Sequence, residues 1–166
     1  MVQALEYRGV INMLKDFQPP HVYKLEGQQM YFDAVRKKYV PVTERETVRQ
    51  RVVQFLIQEL GVPQKMIRLG EKLSNYGLPF RHRADIVIER YDREEGVNRP
   101  VAVVECKALE RTLDEAAYNE AFDYAEKLGC AYCLLTNVEE AHWFYLDADS
   151  YVELESVPTY REMISH

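Results

Sequence analysis

The chain has 166 residues, 47% of them hydrophobic and 29% charged, with 7 Gly, 7 Pro and 3 Cys, a composition that supports one packed domain and excludes a disordered, collagen-like or disulfide-stapled protein. Its net charge of −6 argues against a surface that grips nucleic acid throughout, but is compatible with a local acidic site ringed by basic residues. The longest apolar runs, 101–104 and 130–135, are far too short for a membrane span.

The opening MVQALEYRGVINMLKDF sets Leu5, Val10, Ile11 and Leu14 at helical spacing. It has no basic leader and no small-residue cleavage site, so it predicts a helix rather than a signal peptide, and a cytoplasmic protein. After Pro19-Pro20, residues 21–42 alternate apolar and polar around Glu26-Gly27 and a basic turn at Arg36, Lys37 and Lys38, which predicts short antiparallel strands. Thr43 then opens a helix. Val48, Val52, Leu56 and Leu60 recur every four residues, Val53 and Ile57 widen the stripe, and Gly61 and Pro63 end it.

The second half predicts strands over 66–72, 84–91 and 100–106, a helix over 112–128 and a strand over 131–136. That order specifies an α/β fold. ADIVIER and VAVVECK are apolar on both pleat faces, which marks the central strands of a mixed sheet flanked by helices on both faces. Cys130 and Cys133 fall on a strand and so point to opposite faces, which reads as two core cysteines. With no repeat or linker, residues 1–166 read as a single domain: an N-terminal helix and meander over 1–42, a core over 43–146 and a C-terminal extension over 147–166.

A hairpin turning at 94–98, with its midpoint near residue 95, sets Asp85 opposite Glu105, and the period-two pleat adds Lys107 to the same face. Two carboxylates at the end of an apolar sheet repel unless a cation or proton lies between them. An acid-x-Lys tripeptide turns up about once by chance in a chain of this composition, so the weight lies in the context: the end of a doubly buried strand, a same-face Asp and a helix following. The plainer reading is that Glu105 and Lys107 only solvate the strand end.

RADIVI followed by VAVVECK resembles the Asp and Glu-x-Lys strands of the PD-(D/E)xK nuclease superfamily. More specifically, KKYVPVTERETVRQRVVQFLIQELGVP is similar to the segment before the nuclease core in the N-terminal domain of type I restriction enzyme R subunits, and the likeness runs over residues 22–137. The resemblance implies a restriction-endonuclease-like core and a DNA endonuclease dependent on Mg2+ or Mn2+. Asp85, Glu105 and the Cys106 carbonyl would supply metal oxygens, and Lys107 would orient or activate the attacking water. It adds Glu46 to the catalytic set, with Glu44 as a substitute. Glu46 lies at the edge of its helix's apolar stripe, yet Thr43-Glu44-Arg45-Glu46 equally reads as a capping box.

Glu71, Glu120 and Tyr124 are supporting positions by the same resemblance. In place of the family's Gln-x-x-x-Tyr this chain carries Glu120 and Tyr124, and Ala84-Asp85 lacks the superfamily's proline. Arg81 and Arg83, next to Asp85, are the expected DNA contacts, whereas the clusters at 36–38 and at Arg49 and Arg51 read as solvated surface. His82 and His142 show no ligand spacing. A helicase or translocase and other restriction-modification subunits are implied partners, and the chain itself has no G-x-x-x-x-G-K-[ST] phosphate loop. The alternative is a catalytically silent nuclease-fold module that binds DNA or a protein partner.

Overall fold

Glu26 and Gly27 both take positive φ, 49° and 80°, as a two-residue hairpin loop requires. They join β2 (Val22–Leu25) to β3 (Gln28–Asp33), and β4 (Lys38–Pro41) completes a three-stranded antiparallel sheet. The computed structural model describes residues 5–6 and 14–165. Its first strand, β1 (Leu5–Glu6), pairs with β11 (Ser156–Val157) near the other end of the chain. Leu5 is therefore on a strand and not on the expected helix, because a pairing with so distant a segment leaves no periodic trace. Val10 and Ile11 lie outside the described residues, and Leu14 is helical and buried.

Thr43 caps α1 (Glu44–Gln58), its hydroxyl accepting the Glu46 N–H at 3.0 Å. The helix buries Val48, Val52, Val53, Phe55 and Leu56 against Ile67, Leu69, Ile86, Ile88 and Val104 of the central sheet. That sheet has six strands in the order β10-β9-β8-β7-β6-β5. They are β5 (Ile67–Lys72), β6 (Arg83–Asp92), β7 (Val97–Cys106), β8 (Tyr132–Thr136), β9 (Ala141–Asp147) and β10 (Ser150–Glu153). Only β7 and β8 run parallel, since α2 (Glu115–Leu128) carries the chain back between them. Ala117, Ala121 and Ala125 let α2 lie close on the second face, against Val87, Val103, Cys133 and Leu135. Each large apolar side chain buried in these two layers contributes about 1.5–3 kcal/mol. The fold is thus a mixed α/β sheet with helices on both faces, as the doubly apolar central strands implied.

The helix expected from residue 112 begins at Glu115, with Asp114 as its cap accepting the Ala117 N–H at 2.9 Å. Leu113 is drawn into the core under the helix, which holds Thr112 outside it. Beyond β8, β9 and β10 form an edge hairpin that widens the sheet, so Asp147 and residues 150–153 belong to its ladder. The short helix α3 (Tyr160–Met163) ties the chain's end to the core, with Tyr160 donating to the Leu60 and Glu89 carbonyls at 2.9 Å each. No helix among the described residues is long and apolar enough to cross a membrane.

The β6–β7 ladder fixes the site. The loop spans residues 93–96, pairing Asp92 with Val97, and the register shifts between Ile88 and Glu89. Ile88 faces Ala102 while Glu89 faces Pro100, leaving Val101 as the extra residue of a β-bulge. Below the bulge Ile86 faces Val104, and the next step of that register sets Asp85 opposite Glu105.

Candidate active site

Asp85 is 2% exposed and Glu105 is fully buried. The Asp85 N–H points at Glu105 Oε1 across 3.4 Å, and the Cys106 N–H donates to Asp85 Oδ2 at 2.8 Å. Burial first, and the Asp85 charge second, push the Glu105 carboxyl well above its ordinary range. Glu105 Oε2 is buried with no hydrogen-bond partner. A buried carboxylate oxygen without a donor is costly, and a cation or proton between the two acids removes that cost.

Lys107 follows directly, its N–H donating to the Thr136 carbonyl at 2.9 Å as the chain leaves β7. Its ammonium is nearly buried and donates to Glu120 Oε2 on α2 at 2.9 Å. One turn further along α2, burial and then the charge of Glu105 push the Tyr124 hydroxyl up to about 12. Tyr124 is therefore a neutral donor at ordinary pH. Burial and the neighbouring Asp85 charge also raise the Cys106 thiol well above its usual range, so its sulfur remains a protonated core group and only its backbone can serve the site.

Asp85 opens onto a cleft of about 570 Å³ lined by Arg36, Lys38, Arg45, Arg49, Arg81 and Arg83, with Glu120 and Tyr124 on the α2 side. Arg45 Nη2 donates to Asp85 Oδ1, and Arg49 Nη1 donates to the Asp85 carbonyl at 3.4 Å. Burial opposes the Arg45 charge, but the charge and hydrogen bond of Asp85 outweigh it. The guanidiniums crowd the backbone at Gly70 (φ +58°), where a Cβ would lie 3.4 Å from Arg49 Nη1 and 3.6 Å from Arg36 Nη1. Arg83 donates to the Gly70 carbonyl at 2.7 Å.

Glu46 is buried and tied through Arg49 to Asp85 of the sheet. Its carboxylate does not reach back to cap α1. Oε1 accepts from Arg36 and from Gln50 (3.0 Å), and Oε2 pairs with Arg49 at 3.0 Å. Asp33, fully buried, holds the same network from the meander by accepting from Arg36 and Gln50. Both Glu46 oxygens are thus engaged by cations and an amide, and the carboxylate braces Arg49 beside Asp85. Glu71 accepts from Asn75 at 2.7 Å and is not among the cleft residues.

The clusters read as solvated surface thus contain three cleft residues, Arg36, Lys38 and Arg49, and Arg45 joins them from the same helix as Arg49. One signal was available. Arg45 and Arg49 lie at i,i+4 on one helix face, a like-charge pair that is unfavourable without an outside acid, and Asp85 and Glu46 supply it.

The donor set suits a hard, incompletely dehydrated cation. Among the described residues no three His, Cys, Asp or Glu side chains converge as a metal cage. Magnesium characteristically uses one or two carboxylates and keeps several waters, and the unpartnered Glu105 Oε2 beside Asp85 fits that demand.

The pattern of the family described as Type I restriction enzyme R protein N terminus (HSDR_N) matches residues 44–158, which include α1, the central sheet, Asp85, Glu105 and Lys107, while Asp33, Arg36 and Lys38 lie before the matched segment. The chain belongs to that family. Among solved structures, a fragment described as that of an HsdR subunit of a type I restriction enzyme from Vibrio vulnificus YJ016 is similar in fold. Its TM-score is 0.50 at 24% identity, over 74% of this chain and 24% of that one. This R-protein N-terminal chain therefore spans about a quarter of that structure's length. No curated protein matches it.

Proposed function

We propose that this R-protein N-terminal domain is a divalent-metal-dependent DNA endonuclease. The observation that carries the reading is the buried Asp85–Glu105 pair, in which Asp85 lines an arginine-rich cleft and Glu105, with Oε2 unpartnered, is buried beside it. Asp85 and Glu105 would hold Mg2+ or Mn2+, with the Cys106 carbonyl as a third oxygen. When bound, that ion supplies a Lewis acid and lowers the pKa of a coordinated water. Lys107 places its ammonium at the strand end, where it orients the attacking water and offsets charge on the phosphate. Tyr124 offers a hydroxyl donor from α2, and Arg81 and Arg83 hold flanking phosphates at the cleft rim. The wider R subunit, with its translocase and modification partners, would deliver DNA.

A second reading is a silent module that binds DNA without cutting. The Lys107–Glu120 ion pair favours it, because an acid where the family carries glutamine competes for the catalytic ammonium. Plasmid cleavage separates the two. The endonuclease nicks or linearises supercoiled DNA with Mg2+ and loses this in EDTA and in Asp85→Asn. A folded wild-type chain inert with both Mg2+ and Mn2+ overturns the enzyme reading.

A further inference from the structure

We propose that Arg45 is an exchangeable cation that holds Asp85 while no metal is bound and competes with the divalent ion for Asp85 Oδ1. The proposal rests on the metal-dependent reading above and concerns what sets the strength of metal binding.

Asp85 has two oxygens with different fates. Oδ2 is fixed by the Cys106 amide at 2.8 Å, part of the backbone where β6 meets β7. Oδ1 is paired with Arg45, so the oxygen left over for a metal is already neutralised by a side chain. The two arginines that reach Asp85 are not equivalent. The Arg49 side chain is 12% exposed, pinned by Glu46 at 3.0 Å and by the Asp85 carbonyl at 3.4 Å, and its Nη2 lies 4.0 Å from Asp85 Oδ1, where it stays when Arg45 leaves. The Arg45 side chain is 50% exposed, comes from the first turn of α1, and makes no other ion pair among the described residues. Arg45 can swing into the open cleft without exposing a buried charge, whereas Arg49 cannot.

Electrostatics sets the direction of exchange. The Arg45 guanidinium brings one positive charge directly to Asp85 Oδ1, with the Arg49 guanidinium further off at 4.0 Å, and the two leave Glu105 Oε2 unsatisfied. A divalent ion brings two and can serve both acids. Keeping both arginines and the metal around the pair would overcharge it, so the loosely held guanidinium leaves. Metal affinity is then the difference between these two states, and Arg45 lowers it by stabilising the metal-free one.

The test is calorimetric titration of MnCl2, without DNA, into wild type, Arg45→Ala, Asp85→Asn and the Arg45→Ala/Asp85→Asn double variant. Arg45→Ala is expected to bind Mn2+ about two- to fivefold more tightly than wild type, the range for loss of a partly exposed competing ion pair. Both Asp85→Asn proteins should show no site. Thermal melts give a second readout: Arg45→Ala melts lower than wild type in EDTA and gains more from Mn2+. Equal or weaker Mn2+ binding by Arg45→Ala, with Asp85→Asn silent, overturns the exchange and leaves the metal reading standing. No Mn2+ binding by either wild type or Arg45→Ala overturns both.

Discussion

Asp85 and Glu105 face each other across the β6–β7 ladder, with the Asp85 amide 3.4 Å from Glu105 Oε1. Their proximity in a buried setting ties the stability of the metal-free protein to pH. The Glu105 carboxyl is raised well above 4.5 in the native state, so the folded protein keeps a proton that the unfolded chain releases first. The contribution of Glu105 is present in full below the unfolded value and is lost as pH rises from about 4.5 through the raised native range. Glu105→Gln should therefore be more stable than wild type at neutral pH in EDTA, and the difference between the two should vanish toward pH 4. Denaturant melts across pH measure it, and a difference that is constant or reversed rejects the buried-acid description.

Substitutions in the catalytic set should remove cleavage without unfolding the domain. Asp85→Asn and Lys107→Ala are each expected to lower the cleavage rate at least about 100-fold. The partner that Lys107→Ala leaves behind, Glu120, is 43% exposed and can be hydrated, so the stability change should be about 1 kcal/mol or less. Cleavage near the wild-type rate in either folded variant would take that residue out of the catalytic set.

Glu46→Gln separates a network role from a capping role. Glu46 is bonded to Arg36, Arg49 and Gln50, so the neutral amide should cost about 1–3 kcal/mol. Activity should fall only as far as the displaced arginines disturb Asp85. A capping role would leave stability unchanged, since glutamine completes a capping box equally well. Thermal and urea melts of the variant decide between them.

DNA binding by the isolated domain should be weak and steep in salt, about 10⁻⁴ to 10⁻⁶ M at physiological ionic strength. Replacing Arg81 and Arg83 with Ala should weaken binding to all sequences alike and reduce the slope of log K against log salt by roughly 1–2. Fluorescence anisotropy over a salt series reads both. Because Arg83 also holds the Gly70 carbonyl, Arg81→Ala alone should account for about half of the slope change. An unchanged slope in the double variant would place the DNA elsewhere.

Periodicity made α1, the central strands and the two-faced burial legible, because each is encoded within a few neighbouring residues. The Asp85–Glu105 register was legible by a different route from the one the chain takes. A regular hairpin centred on residue 95 gives the same pairing as the observed loop over 93–96 corrected by the Val101 bulge, and only structure distinguishes them. The arginine ring was legible only at Arg81 and Arg83, which adjoin Asp85 in the chain. Arg36, Arg45 and Arg49 come from a loop and a helix, and each looks like a solvated charge until the fold brings it to a buried acid. The β1–β11 pairing failed for the same reason, since its two halves are separated by nearly the whole chain.

The central claim, a metal centre built on Asp85 and Glu105, is tested most directly by anomalous scattering from a crystal of the domain soaked in MnCl2. The account predicts an anomalous peak within about 2.0–2.6 Å of a carboxylate oxygen of each acid, the range that hard divalent cations take on oxygen. An ordered site with no manganese between Asp85 and Glu105, or manganese bound only elsewhere on the domain, would contradict it.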